Sequence, residues 1–313
     1  MNPTDMPEHA AKVLAALTRT PGFADLRLED ITMTRQGGMT NRVFLVDTGT
    51  DRVIVRIPGD GTEAYIDRRI EAVNAEAAHA AGVSAKVLWS DPGSGLMVSR
   101  AIDDIVTMTP ELFATRPGAA ERAGKALAKL HGSGRTFEFR FELFAMIDEY
   151  LSLLAGKDVA LPEGYHDIVA AAAPVKTLLA KKPGVLAPCH CDPLCENFLD
   201  DGKVMWIVDW EYSGMNDPLW DVGDLSVEAG LTDAHEAELM QGYFGHAPSA
   251  ADHGRIVIYK AMCDLLWTLW GLIQLADGNT AEDFRAYADG RFARCRTLMD
   301  DPAWEGHLAA VRG

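Results

Sequence analysis

The segment from Cys189 to Ser226, CHCDPLCENFLDDGKVMWIVDWEYSGMNDPLWDVGDLS, gathers most of the residues that could do chemistry. His190-x-Asp192 is followed five residues after the aspartate by Asn197, and twelve residues later by Asp209, directly behind the apolar run VMWIV. Phosphoryl transfer needs a carboxylate beside the attacking hydroxyl and oxygen ligands for one or two Mg²⁺ ions that bridge the phosphates. Asp192 suits the first task, and Asn197 and Asp209 the second, with His190 buttressing the loop backbone. Any one of these residues alone would be an ordinary member of an Asp-rich turn. The ordered set H-x-D-x-x-x-x-N, strand, Asp is far more specific. A competing reading makes Cys189, His190, Cys191 and Cys195 a zinc site, but the spacing lacks a C-x-x-C knuckle and no second Cys/His pair is near. Buried structural thiols are the default for these cysteines.

A matching half precedes this segment. Gln36-Gly37-Gly38-Met39-Thr40-Asn41 opens a strand pair, and glycines there let backbone N–H groups approach phosphate oxygens. Most Gly-Gly pairs are only turns, so this signal is weak by itself. Arg56 lies within the apolar run VIVRIP, where a charge needs a partner, and Glu71 on the following helix can supply it. A strand cation held by a helix glutamate and reaching nucleotide phosphates is the kinase arrangement. The plain alternative is an edge-strand arginine without a role.

These residues need elements to position them. Apolar spacing predicts a helix over 7–17. NRVFLVDT (41–48) and RVIVRI (52–57), joined by Gly49-Thr50-Asp51, read as a hairpin. A helix over 66–81 is stopped by Gly82, and strands over 85–90 and 95–101 flank the turn Asp91-Pro92-Gly93. The result is a small, mostly antiparallel sheet with an inserted helix. Beyond Ile102 the pattern becomes helical: 119–131, 144–154, 165–180, 233–244, 253–276 and 281–299. Two short strands, at 198–199 and 204–208, surround the turn Asp200-Asp201-Gly202. The loop 103–117 reads as an inter-lobe link, which divides the chain into 1–102 and 103–313.

Composition fits this division. The 313 residues carry a formal charge of −17 with a pI near 4.9, and 48% are hydrophobic, too many for a disordered chain. An acidic surface argues against nucleic acid as a partner and favours cations, metal ions or amines. Residues 1–100 are nearly neutral at −2, whereas residues 101–313 carry −15. The segment His190–Glu228 alone holds ten acids and one base, and acids there without an assigned task read as solvated surface. The N-terminus does not read as a secretory signal, since Asp5 and Glu8 precede its apolar stretch. The run 261–276 is interrupted by Asp264 and Gln274 and is too short to span a bilayer. Five cysteines are an odd number for a disulfide framework. A soluble, cytoplasmic protein without a membrane partner is expected, and its oligomeric state is left open.

At this point the sequence resembles the choline/ethanolamine kinase family, in the aminoglycoside-phosphotransferase branch of the protein-kinase-like superfamily. The resemblance runs from about Gln36 to about Met299. It rests on GGMTNRVFLV with VIVRIPG, on IDRRIEAVNAEAAHAAGV, on HCDPLCEN with IVDWEYSGMNDPLWDVGDLSVE, and on LLWTLWGLIQ. It implies an α+β, bilobal kinase-like fold that binds ATP and Mg²⁺ between a small sheet lobe and a larger helical lobe. Asp192 would be the catalytic base or hydroxyl-orienting residue, with Asn197 beside it, and Asn197 and Asp209 would hold the metal. Gly37, Gly38, Met39, Thr40 and Asn41 would cover the phosphates, and Arg56 with Glu71 would contact them. Met97, Ser99 and Ala101 would form the adenine-side hinge, with Ile207 against the nucleotide. Asp221 would support the catalytic loop, and His131 matches a structural histidine. Cys191 and Glu196 depart from the residues common in eukaryotic members, at positions that carry no chemistry.

The acceptor is the less determined half. A quaternary ammonium donates no hydrogen bonds, so aromatic faces and carboxylates must hold it. Trp267 and Trp270 stand at i and i+3 of one helix, Tyr212 follows Asp209 by three residues, and Glu228 is a nearby acid. By resemblance these four line the choline pocket, although tryptophans at helical spacing are more often core. The expected reaction is phosphorylation of choline or ethanolamine by ATP. The alternatives are another small alcohol, such as an aminoglycoside or thiamine, or a nucleotide-binding pseudokinase.

Overall fold

A computed structural model describes residues 7–37, 41–59 and 66–313. Alternating β-branched residues build its first sheet. Strands β2 (Arg42–Asp47) and β3 (Arg52–Ile57) pair antiparallel, with Val43 opposite Arg56 and Phe44 opposite Val55. Their turn uses Gly49 at φ +81°, where its N–H donates to Asp47 Oδ1 at 2.7 Å. Strand β5 (Leu96–Arg100) continues the sheet and sets Met97 opposite Arg56. Strand β4 (Val87–Asp91) closes one edge and β1 (Thr32–Arg35) the other, in the order β1-β2-β3-β5-β4. Strand β1 is not apparent in the sequence, because TMTR buries only Met33. Helix α1 (Pro7–Arg19) packs Val13, Ala16 and Leu17 against Phe44, Val46, Val53 and Val55.

Helix α2 (Arg68–Ala80) is started by Asp67, whose Oδ1 accepts from the N–H groups of Arg69 and Ile70. Its buried residues, Arg68, Glu71, Ala72, Asn74, Ala75 and Ala78, recur at helical spacing along one face. Ala75 and Ala78 join the core of the helical lobe rather than that of the sheet. Helix α2 is therefore anchored to the part of the chain that carries Asp192.

The helical lobe contains β6 (Val106–Thr107), α3 (Pro110–Thr115), α4 (Ala119–His131), α5 (Leu143–Leu154), α6 (Tyr165–Ala171) and α7 (Ala173–Lys181). It continues through β7 (Ala187–Cys189), β8 (Phe198–Asp200), β9 (Met205–Ile207), β10 (Gly214–Asn216) and α8 (Leu219–Glu228). Helices α9 (Asp233–Phe244), α10 (Ala250–Ala276), α11 (Phe284–Met299) and α12 (Trp304–Arg312) complete it. Strands β6, β8 and β9 form one small sheet, and β7 and β10 another. The single helix expected over 165–180 is instead two, since Pro174 lacks an N–H and sits in the first turn of α7. The expected helix at 281–299 begins at Phe284, behind the Asp283 cap. The link at 103–117 contains β6 and α3. Helix α10 is long and apolar enough to cross a membrane, but 89% of its apolar window is buried inside the protein.

Candidate active site

Asp192 is carried by a loop whose backbone is pinned from the opposite side. Fully buried Asp221, in the first turn of α8, accepts the N–H of His190 at 2.7 Å and that of Cys191 at 2.9 Å. Trp220 Nε1 donates to the Cys191 carbonyl at 3.0 Å, and Cys191 adopts φ +68° between these contacts. His131 Nε2 meets Asp221 at 2.9 Å and its Nδ1 meets the Tyr243 hydroxyl at 2.9 Å, which ties the loop to α9. His190 Nε2 contacts the Val208 carbonyl at 2.9 Å, and burial pushes its pKa down, so the ring is neutral. His190 and His131 are thus both braces. All five cysteines are buried free thiols, and burial raises the pKa of each.

A short β-hairpin brings the two ends of the motif together. Strands β8 and β9 pair Phe198 with Ile207, and beyond them the Val208 N–H donates to the Asn197 carbonyl at 3.0 Å. Asn197 Nδ2 donates to the Asp192 carbonyl at 3.0 Å. Asp209 follows immediately at φ +68°, a conformation an aspartate tolerates.

Arg56 reaches this point from the sheet. Its Nη1 forms an ion pair with Glu71 and lies 3.3 Å from Asp209 Oδ1. Arg68 bridges Glu71 at 2.8 Å and Glu211 at 3.1 Å, and Asn41 Nδ2 donates to Glu211 at 3.0 Å. Although burial opposes ionisation, Arg56 and Arg68 hold Glu71 below the ordinary range. Burial, with the Glu71 carboxylate adding to it, pushes Asp209 up. Glu211 is pushed up to about 7 by burial and by Asp209 and Glu71. Arg56 Nε and Nη2 are buried and find no hydrogen-bond partner among the described residues. A buried guanidinium with spare donors suits an anionic ligand. The clustered oxygens of Asp209, Glu211 and Glu71 lie within 4.8 Å of one another, a hard-oxygen set suited to a divalent cation.

Two cavities meet here. One, of about 600 Å³, is lined on the sheet side by Gly37, Val43, Arg56, Met97, Ser99 and Ala101 and on the other by Leu199 and Val208. The second, of about 520 Å³, is lined by Asp192, Tyr212, Glu228, Trp267, Trp270 and Tyr287. Asn197 and Asp209 belong to the walls of both. In the second cavity Trp267 Nε1 donates to Asp224 at 3.0 Å and Trp270 Nε1 to the Tyr212 hydroxyl at 2.9 Å. The Tyr212 and Trp267 rings meet edge-on at 5.5 Å, and Trp270 and Tyr287 at 5.7 Å. Both tryptophans are buried and both line the cavity. Burial pushes the Asp192 carboxyl well up, reinforced by Asp224 and Glu228.

Gly38, Met39 and Thr40 lie outside the described residues. Other expectations need correction. Ile207 does not line the sheet-side cavity. It shares a face with its partner Phe198, both fully buried, and Leu199 and Val208 take the wall instead. Of the six acids in His190–Glu228 without an assigned task, Glu196 is exposed and Asp201 half-buried, but the other four do not form a solvated surface. Asp200, Asp217 and Asp224 are buried, and the Glu211 side chain is 5% exposed. Asp200 is held by Arg116 and Arg122, and Asp217 by Arg255. Those arginines are distant in sequence, so the acids look unpaired when read locally. Sequence reasoning also missed Glu211, Arg68, Tyr287 and Arg291. The i+2 position of Glu211 after Asp209 was the available signal for the first, and nothing local marked the others.

Comparison with known proteins agrees with this geometry. Residues 31–256 match the model of a phosphotransferase enzyme family. A crystal structure of a choline/ethanolamine kinase family protein from Mesorhizobium loti is 57% identical, covers 96% of this chain and 98% of its own, and superposes with a TM-score of 0.86. Choline kinase LicA from Streptococcus pneumoniae is 26% identical over 94% of this chain and 99% of its own, with a TM-score of 0.77. A LicA structure in complex with AMP is 28% identical over 90% and 92%, with a TM-score of 0.71. With the small antiparallel sheet and the helical lobe in place, the chain belongs to the phosphotransferase enzyme family and, within it, to the choline/ethanolamine kinases.

Proposed function

We propose that the protein transfers the γ-phosphoryl group of ATP to the hydroxyl of choline or ethanolamine. The observation that carries this reading is the shared wall: Asn197 and Asp209 line both cavities, and Asp192 lines the aromatic one. A phosphoryl group passing from one cavity to the other must cross at that wall. The AMP-bound relative supports the assignment of the sheet-side cavity to nucleotide, and the names of the relatives support the acceptor.

In this reading Met97, Ser99 and Ala101 border the adenine side, while Arg56, with its spare donors, meets the phosphates. Asn197, Asp209 and Glu211 would hold Mg²⁺, which when bound neutralises charge on the phosphate oxygens. Asp192 orients the acceptor hydroxyl and takes its proton as the new O–P bond forms and the bond to the departing ADP breaks. Trp267, Trp270 and Tyr212 hold the ammonium end, and Glu228 stands on the same wall. The sheet lobe is assigned to residues 1–102 and the acceptor lobe to 103–313, and the setting is cytoplasmic.

The test is ADP release from Mg-ATP with a panel of choline, ethanolamine, thiamine and aminoglycosides. Turnover with either amino alcohol is expected. No turnover with any acceptor would end the enzyme reading, and turnover with aminoglycosides alone would end the acceptor assignment.

A further inference from the structure

Arg291 places a permanent cation in the wall of the aromatic cavity. It is 4% exposed, and its guanidinium carbon lies 4.5 Å from the centroid of the Tyr287 ring. Nη2 pairs with Glu228, and Nη1 lies 3.1 Å from fully buried Asp264. Asp264 also accepts two bonds from Arg294, at 2.6 and 2.5 Å. Gly271 of α10 makes room for this arrangement, since a Cβ there would stand 2.6 Å from the Tyr287 ring.

The consequence concerns what the cavity can offer an ammonium group. Glu228 is already paired, and neither Asp264, saturated by two arginines, nor Asp224, which holds Trp267, is on the cavity wall. Of the other lining acids, Asp192, Asp209 and Glu211 stand on the phosphoryl-transfer side, and Glu196 and Glu282 are exposed to solvent. A primary ammonium brings three N–H donors and loses free energy when it leaves water without acceptors for them. A quaternary ammonium brings none and gains from aromatic faces.

We propose that Arg291 is a specificity-determining residue: by occupying Glu228 it withdraws the wall acceptor a primary ammonium needs and tilts the site toward an N-methylated acceptor. The inference rests on the acceptor reading above and adds to it the residue that selects within the class.

The test measures kcat/KM for choline and ethanolamine in the wild type and in Arg291→Lys and Arg291→Met, with KM for ATP as the internal control. The wild type should favour choline at least tenfold. Arg291→Met should lower that ratio at least fivefold, because Glu228 becomes free to accept from a primary amine, whereas Arg291→Lys, which keeps a cation beside Glu228, should retain most of it; KM for ATP stays within twofold in both. A general loss of packing would reduce both acceptors alike and leave the ratio unchanged, which would overturn the proposal. Should the variants fail to fold, the wild type decides through inhibition against choline: tetramethylammonium should act at least ten times more strongly than methylammonium, and equal inhibition overturns the proposal. A wild type that phosphorylates neither amino alcohol refutes the acceptor reading, whereas one that uses both equally refutes only the role of Arg291.

Discussion

Asp192 and the cage residues make different demands on an experiment. Asp192→Asn keeps volume and shape but removes the charge that we propose orients and deprotonates the hydroxyl. General-base contributions run to about 10²–10⁴ in rate, so kcat should fall within that range while KM for ATP changes less than about twofold. A variant that transfers at near the wild-type rate would displace Asp192 from its role. Trp267→Phe should raise KM for choline about fivefold with KM for ATP unchanged, in line with cation–π terms of about 0.5–2 kcal/mol. Phenylalanine is preferable to alanine here, because truncating a buried tryptophan costs about 3–5 kcal/mol of stability and would confuse the two effects. Legibility follows the same division. Asp192, Asn197 and Asp209 could be found because a hairpin brings them together within one short segment. Glu211, Arg68 and Arg291 could not, because each takes its meaning from partners that the fold supplies, such as Arg56 for Glu211 and Glu228 for Arg291.

Among elements, the β8–β9 hairpin shows how a motif is held in register. Its first strand ends at Asp200, whose carboxylate takes up Arg122 and Arg116 from the α3–α4 corner. Burial works against ionisation, but hydrogen bonds from the two arginines keep Asp200 below its ordinary pKa. A depressed folded-state pKa contributes stability above the unfolded value near 4, and that stability is lost as pH falls through the folded value. Asp200→Asn should therefore lower stability at pH 7 by about 3–5 kcal/mol, the usual effect of breaking a buried pair. The deficit should shrink toward pH 3, and denaturant midpoints at several pH values would reveal it. A pH-independent deficit would mean that packing, not charge, is what Asp200 supplies. Helix α4, with its strong periodicity, was readable to the residue. Polar strand β1 and the three-residue strands β7 and β10 were not, because strands that short carry too little alternation to stand out from loop.

For the whole molecule, the charge of −17 now has a structure. Arg116, Arg122, Arg255, Arg291 and Arg294 neutralise buried acids inside the helical lobe. The carboxylates Asp209 and Glu211, both pushed up by burial and by the charge of Glu71, with Asp209 adding to Glu211, are the pair that an added cation would relieve most. A ligand that binds only the folded state stabilises it by about 2.7 kcal/mol at a hundredfold excess over its Kd. For a chain of this size that corresponds to several degrees in Tm, at about 2–4 °C per kcal/mol. Mg-ATP should accordingly raise Tm by several degrees, and ATP with chelator by less than half as much. Asp209→Asn should erase the difference between the two while retaining the response to ATP alone, because Arg56 and the sheet-side cavity remain. Differential scanning fluorimetry with the four combinations of protein and ligand checks this directly. If the variant kept the full magnesium-dependent increment, the cation would have to be held elsewhere than at the wall between the two cavities.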